Sequence, residues 1–236
     1  MNSAPHIEVR SITKRFPGVV ALRNVSLSIA RGELHAICGE NGAGKSTLMK
    51  ILAGVIPDYE GELHVAGQLV RFGGTRDSEA AGVSIIHQEL NLVGSLSVAA
   101  NIFLGREVRR GGWFLDEKRM ERAAADLFAQ LETDIRPSRL VRELRVGDQQ
   151  LVEIAKALSL RSEILIMDEP TQGLAPVEIA SFCDLVRVIA QSATVLLIEH
   201  NLPVVLELAD SRLSSDPDVQ APAEGSEGSP RTGCCC

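Results

Sequence analysis

The hydrophobic residues of this chain fall into short runs that stop abruptly at polar clusters. "ELHAIC" runs into "GENGAGKST", "GVSII" into "HQE", "EILIM" into "DEPT" and "TVLLI" into "EHN". Continuous apolar runs of this length mark strands buried on both faces, hence a parallel sheet with helices outside it. In open α/β sheets ligands bind at the carboxyl ends of the strands, so the four polar clusters are expected to meet along one edge. Residues 6–72 otherwise mix alternating runs ("HIEVR", "VSLSIA", "GELHVAG") with glycine turns, and read as strands interrupted by one helix from Lys45 to about Gly54. Residues 97–160 read as mainly helical, and 161–210 as strand, helix, strand, helix. Within 144–158, "LRVGDQQLVEIAKAL", residues Leu151, Ile154, Ala155 and Leu158 recur at helical spacing. Gly147 stands just before that stripe, flanked by Arg145 and Asp148.

Composition narrows the class. A chain of 236 residues with 45% hydrophobic content suits one α/β domain, or one domain with a subdomain, and 3% aromatic content leaves the packing to aliphatic side chains. The net charge of −7 argues against a general nucleic-acid-binding surface. No apolar run approaches the ~18–20 residues that cross a bilayer, and the start, MNSAPHIEVR, has no signal-peptide core. The expectation is a cytoplasmic protein whose membrane role is peripheral. Cys38 and Cys183 lie in apolar stretches and read as core thiols. From Ser211 the composition turns to Ser, Pro, Gly, Asp and Glu, so 211–236 is expected to be a disordered or aberrant tail. It ends in Cys234 to Cys236, with Gly233 where a prenylation box needs cysteine.

The chemistry sits at the run ends. Gly39-Glu40-Asn41-Gly42-Ala43-Gly44-Lys45-Ser46 fits G-x-x-x-x-G-K-[ST], between an apolar strand and a helix with Leu48, Ile51 and Leu52 on one face. Such a loop curls its backbone N–H groups toward phosphate oxygens, and the helix N-terminus adds partial positive charge. Lys45 adds a full charge, and the Ser46 hydroxyl can ligate Mg²⁺. Asp168 ends a strand where its carboxylate can hold Mg²⁺, and Glu169 is placed to polarise an attacking water. Without the phosphate loop the pair would read as an acidic turn. Gln88 and His200 end two further strands; alone they read as a surface glutamine and a turn histidine, on this edge as ligand-facing groups.

In order and spacing, the phosphate loop, Gln88, the glycine segment at 144–150, "ILIMDEP" and His200 resemble an ABC-transporter ATPase over about residues 7–210. Residues 10–170 ("ITKRFPGVVAL", "GENGAGKSTLMKILAGV", "AAGVSIIHQELNLV", "LSVAANIFLGRE", "VEIAKALSL") look most like the first cassette of ribose- or galactose-type importers. From "TQGLAPVEI" the chain looks more like branched-chain amino-acid importers. The resemblance implies a P-loop NTPase fold: a parallel core sheet, an N-terminal antiparallel β subdomain and an inserted helical subdomain at about 89–160, within a nucleotide-binding domain spanning 1–210. It implies ATP and Mg²⁺ as cofactors, bound by Gly39 through Thr47, with Phe16 stacked on adenine and Ser46, Gln88 and Asp168 at the metal. Glu169, His200 and Gln88 would be the catalytic set. Two cassettes would close head to tail, so that Arg145 and Gly147 approach the nucleotide of a second cassette in a homo- or heterodimer. The implied partners are integral-membrane permease subunits and, indirectly, an extracytoplasmic solute-binding protein, at the cytoplasmic face of the membrane.

Two departures weaken the analogy. The family's signature has serine at Arg145 and glutamine at Asp148, and Ala175 stands near an aspartate that many cassettes carry. After "LELAD" the family continues into another strand, whereas this chain turns polar. That fits a single-cassette relative, half of a split protein or a truncated product. The expected function is an ATPase energising a monosaccharide importer. Alternatives are a cassette that binds ATP with little hydrolysis, an amino-acid importer ATPase, another P-loop enzyme such as a small-molecule kinase, and a non-functional fragment.

Overall fold

The structure is a computed structural model that describes residues 5–38, 42–87, 91–111, 113–160 and 162–213. Numbered along the chain, the strands are β1 (Ile7–Phe16), β2 (Val19–Ile29), β3 (Leu34–Ile37), β4 (Glu60–Val65), β5 (Gln68–Val70), β6 (Val83–Ile86), β7 (Arg109–Arg110), β8 (Phe114–Leu115), β9 (Ile164–Asp168) and β10 (Thr194–Ile198). The helices are α1 (Lys45–Leu52), α2 (Thr75–Ala80), α3 (Val98–Ile102), α4 (Glu117–Gln130), α5 (Val146–Leu158), α6 (Pro176–Ala190) and α7 (Leu202–Leu213). An antiparallel sheet has the order β2-β1-β4-β5, and a parallel sheet the order β3-β10-β9-β6.

β9 and β10 are buried at every position, and their side chains divide between two cores. Ile164, Ile166, Leu196 and Ile198 face the core that includes α1 and the antiparallel sheet. Leu165, Met167, Val195 and Leu197 face the core shared with α4, α5, α6 and α7. Two apolar faces explain why these segments read as unbroken hydrophobic runs rather than as alternation. Ile198 lies level with both Ile37 and Asp168, and Met167 level with Ile86. All four strands therefore end at one edge, as expected.

The helical region is assembled by local chemistry. Ser97 caps α3 by accepting from the Ala100 amide, and Asp116 caps α4 by accepting from that of Arg119. Met120, Ala124 and Phe128, one helical turn apart, point α4 into the core. Buried Asn101 accepts from the Val93 amide and donates to the Val93 and Ser97 carbonyls, fixing the approach to α3.

Two local readings change, and one gains a detail. Residues 97–160 are mainly helical, as expected, but β7 and β8 pair within them; strands of two residues are too short to show a period. α5 starts at Val146, so Gly147 lies inside its first turn rather than before it; that turn contributes no core residue, so the apolar stripe cannot mark the start. α7 continues to Leu213, past the composition change at Ser211. Residues 214–236, including the three terminal cysteines, lie outside the described residues. Cys38 and Cys183 are buried as expected, and burial pushes the Cys183 thiol up to about 11.

Candidate functional site

α1 begins where the phosphate-loop sequence ends. Gly44 precedes it with φ +88°, and a Cβ there would lie 2.4 Å from the Ala21 carbonyl oxygen on β2. Only glycine permits that approach. Lys45 is buried, Ser46 exposed and Thr47 half-buried in the first turn, while Gly42 and Ala43 are exposed ahead of it. Among the described residues the first turn holds no acidic residue and no side chain caps it; the amides and positive dipole end of such a turn suit an anion. Gly39, Glu40 and Asn41 lie outside the described residues, as does Gln88. Phe16 ends β1 with 40% of its surface exposed, and the Lys14 ammonium lies 5.1 Å from its ring centre.

Asp168 closes β9. The residue is 9% exposed, and its Oδ1 is buried without a hydrogen-bond partner among the described residues. Burial, then the neighbouring Glu169 carboxylate, raises the Asp168 carboxyl above its ordinary value; His87, Lys50 and Lys45 pull the other way. Lys45 and Asp168 therefore sense each other across the strand ends. Glu169 takes φ +47°, a left-handed conformation that costs roughly 1–3 kcal/mol for a non-glycine residue. Its amide donates to the Ile198 carbonyl, and its Oε2 stands 3.5 Å from His200 Nδ1. His200 is half exposed. Lys45, Asp168, Glu169 and His200 thus share one edge.

Residues 22–172 match the ABC transporter family. The chain is 47% identical over 211 residues to the xylose import ATP-binding protein of Geobacillus kaustophilus, covering 87% of this chain and 41% of that protein. It is 49% identical over 205 residues to a ribose import ATP-binding protein of Burkholderia thailandensis, covering 86% and 40%. The chain belongs to the ABC transporter family. It spans about two fifths of the length of these relatives. Among solved structures it resembles a nucleotide-free ATP-binding cassette from an ABC transporter, with a TM-score of 0.77 at 25% identity, covering 91% of this chain and 97% of that one. The ADP conformation of another cassette gives 0.76 at 27% identity, covering 86% and 84%.

This ABC cassette contains a site residue that sequence reading passed over. Glu199 is fully buried, and its Oε1 accepts from the Thr171 amide at 3.0 Å and from its hydroxyl at 2.6 Å. It ties the loop after Glu169 to the loop carrying His200. The signal was an acidic residue directly after a fully apolar strand, where it cannot reach bulk water. At the start of α5, Arg145 is the exposed N-cap and, among the described residues, makes no side-chain capping bond. Among the described residues, Arg145 and Asp148 form no ion pair with each other. Instead, Glu178 Oε1 lies 3.1 Å from where a Cβ on Gly147 would stand, while Glu178 Oε2 accepts from the Ala175 amide. Gln150 donates to the Pro170 carbonyl, joining α5 to the loop after Glu169.

Proposed function

We propose that this cassette binds ATP with magnesium, hydrolyses it, and so drives monosaccharide uptake through permease subunits at the cytoplasmic face of a membrane, with a solute-binding protein acting from the other side. The observation that carries the reading is the common edge holding the α1 N-terminus, Lys45, the partnerless Asp168 oxygen and the Glu169–His200 pair. The choice of a monosaccharide rests on relatives named as xylose and ribose import ATP-binding proteins.

The α1 amides and Lys45 hold the phosphate tail, and Phe16 offers its exposed ring to the base. A buried carboxylate oxygen with no donor is suited to a cation, so Ser46 and Asp168 fit magnesium, with Gln88 a third candidate. When bound, the metal neutralises charge on the transferring phosphoryl oxygens. Glu169, strained into a left-handed conformation at the strand end, orients the attacking water and takes its proton. His200 holds the Glu169 carboxylate in place. Among the described residues no helix is long and apolar enough to cross a membrane; permease subunits hold the cassette at the membrane, and Arg145 and Gly147 face the nucleotide of a second cassette.

The α5 N-terminus favours a slower variant of this reading. Two carboxylates, Asp148 and Glu178, already lie at the helix end that would meet the second cassette's phosphate. The test is Glu169→Gln in the assembled transporter. Nucleotide binding should persist and ATP turnover should fall by roughly 10²-fold or more, the scale of a positioned proton acceptor. Unchanged turnover would remove hydrolysis from the proposal and leave an ATP-binding regulatory cassette.

A further inference from the structure

Trp113, Phe114 and Leu115 are 89%, 78% and 52% exposed, and none belongs to either hydrophobic core. Single exposed apolar residues are ordinary, but three large ones in succession are not. They sit on the hairpin formed by β7 and β8, where Arg109 pairs with Leu115 and Arg110 with Phe114. Both arginines are exposed, and no acidic residue occurs between Arg109 and Leu115. Lys118 and Arg119 follow on the exposed start of α4. Of the nearest acids, Asp116 caps α4 and Glu107 accepts from the Gly105 amide, while Glu117 stands exposed on the first turn of α4 and offsets one of the two cations that follow it. A chain of net charge −7 therefore carries a cationic, aromatic projection.

We propose that the β7–β8 hairpin contacts lipid, with Trp113, Phe114 and Leu115 entering the interfacial zone of an anionic bilayer and Arg109 and Arg110 engaging its phosphates. Charge complementarity selects the occupant. Aromatic rings with a polar edge settle at the headgroup level, and arginine reaches phosphate from there in bidentate fashion. The acidic remainder of the chain does not cancel the attraction, because charges beyond about 8 Å are screened at physiological ionic strength. The contact is independent of nucleotide chemistry. It is expected to be weak alone, since one short insertion gives only reversible association, and to orient a cassette held elsewhere.

Trp113 is the chain's single tryptophan, so its fluorescence reports on this hairpin alone. The full chain is titrated with phosphatidylcholine vesicles and with phosphatidylcholine–phosphatidylglycerol vesicles, and sedimentation with sucrose-loaded vesicles is read in parallel. Only the anionic vesicles should shift Trp113 emission to the blue and sediment the protein. Arg109→Gln should weaken partitioning about fivefold, the equivalent of about 1 kcal/mol for one basic side chain near an anionic surface. Phe114→Ser with Leu115→Ser should abolish the shift while leaving the melting temperature and nucleotide binding unchanged. An unchanged emission with anionic vesicles overturns the proposal, as does equal binding to neutral ones. A shift that appears only with detergent-solubilised permease overturns it in favour of a protein partner.

Discussion

Replacing Asp168 by asparagine should make the empty cassette more stable and at the same time remove its response to magnesium nucleotide. Asp168 is 9% exposed, its Oδ1 has no hydrogen-bond partner among the described residues, and an unsatisfied buried polar group costs about 1–3 kcal/mol, more when it is charged. Asparagine keeps the shape and discards the charge, so a gain of about 1–2 kcal/mol is expected. For a domain of about this size each kcal/mol moves Tm by roughly 2–4 °C. The pH dependence identifies the source. The folded carboxyl titrates above its ordinary value of 3.8 because of burial and Glu169. Between that value and the raised one the native state binds more protons than the unfolded chain, so the wild-type protein loses stability as pH rises through this window. The advantage of Asp168→Asn should be complete at neutral pH and vanish in acid. Thermal melts followed by circular dichroism in EDTA across this range would measure it. With ATP and magnesium at 100 times Kd the wild-type protein should gain about 2.7 kcal/mol, and the variant should lose the magnesium-dependent share. A variant less stable than wild type in EDTA, or a difference that does not change with pH, would refute the assignment.

Other sites give independent tests. Glu199→Ala leaves the buried Thr171 amide and hydroxyl without their acceptor; urea denaturation should show a loss of about 2–4 kcal/mol, with Glu199→Gln costing less because it keeps an acceptor. His6 is buried, with Nδ1 2.6 Å from the Thr194 hydroxyl, and burial together with Arg31 lowers its pKa below 6.5. The unfolded chain then binds the extra proton first, so stability should fall as pH drops below 6.5, and His6→Asn should flatten that slope in urea titrations. Arg145→Ser with Asp148→Gln should raise ATP turnover of the assembled transporter several-fold if the present side chains hinder closure; no gain in a steady-state assay would count against that.

The strand ends were legible because burial on two faces leaves an unbroken apolar run, and the polar residue that follows must be where the sheet meets a ligand. Lys45, Asp168, Glu169 and His200 were read this way, and the structure sets them on one edge. Glu199 was not, because a carboxylate beside a histidine looks like any polar turn until its depth is known. The β7–β8 hairpin escaped for another reason: its strands, two residues each, hold no more than a single repeat of strand alternation. The start of α5 was blurred because its first turn faces away from the core and leaves no hydrophobic mark.

The order β3-β10-β9-β6 has a consequence for synthesis. β3, whose end leads into the glycine loop, sits at the sheet margin and reaches the acid-bearing β9 only through β10. A nascent chain halted before Thr194 would possess the lysine and both acids yet have no strand to hold them side by side. Capture of nucleotide should thus be among the last abilities a growing polypeptide acquires on the ribosome, and truncated translation products should lack it.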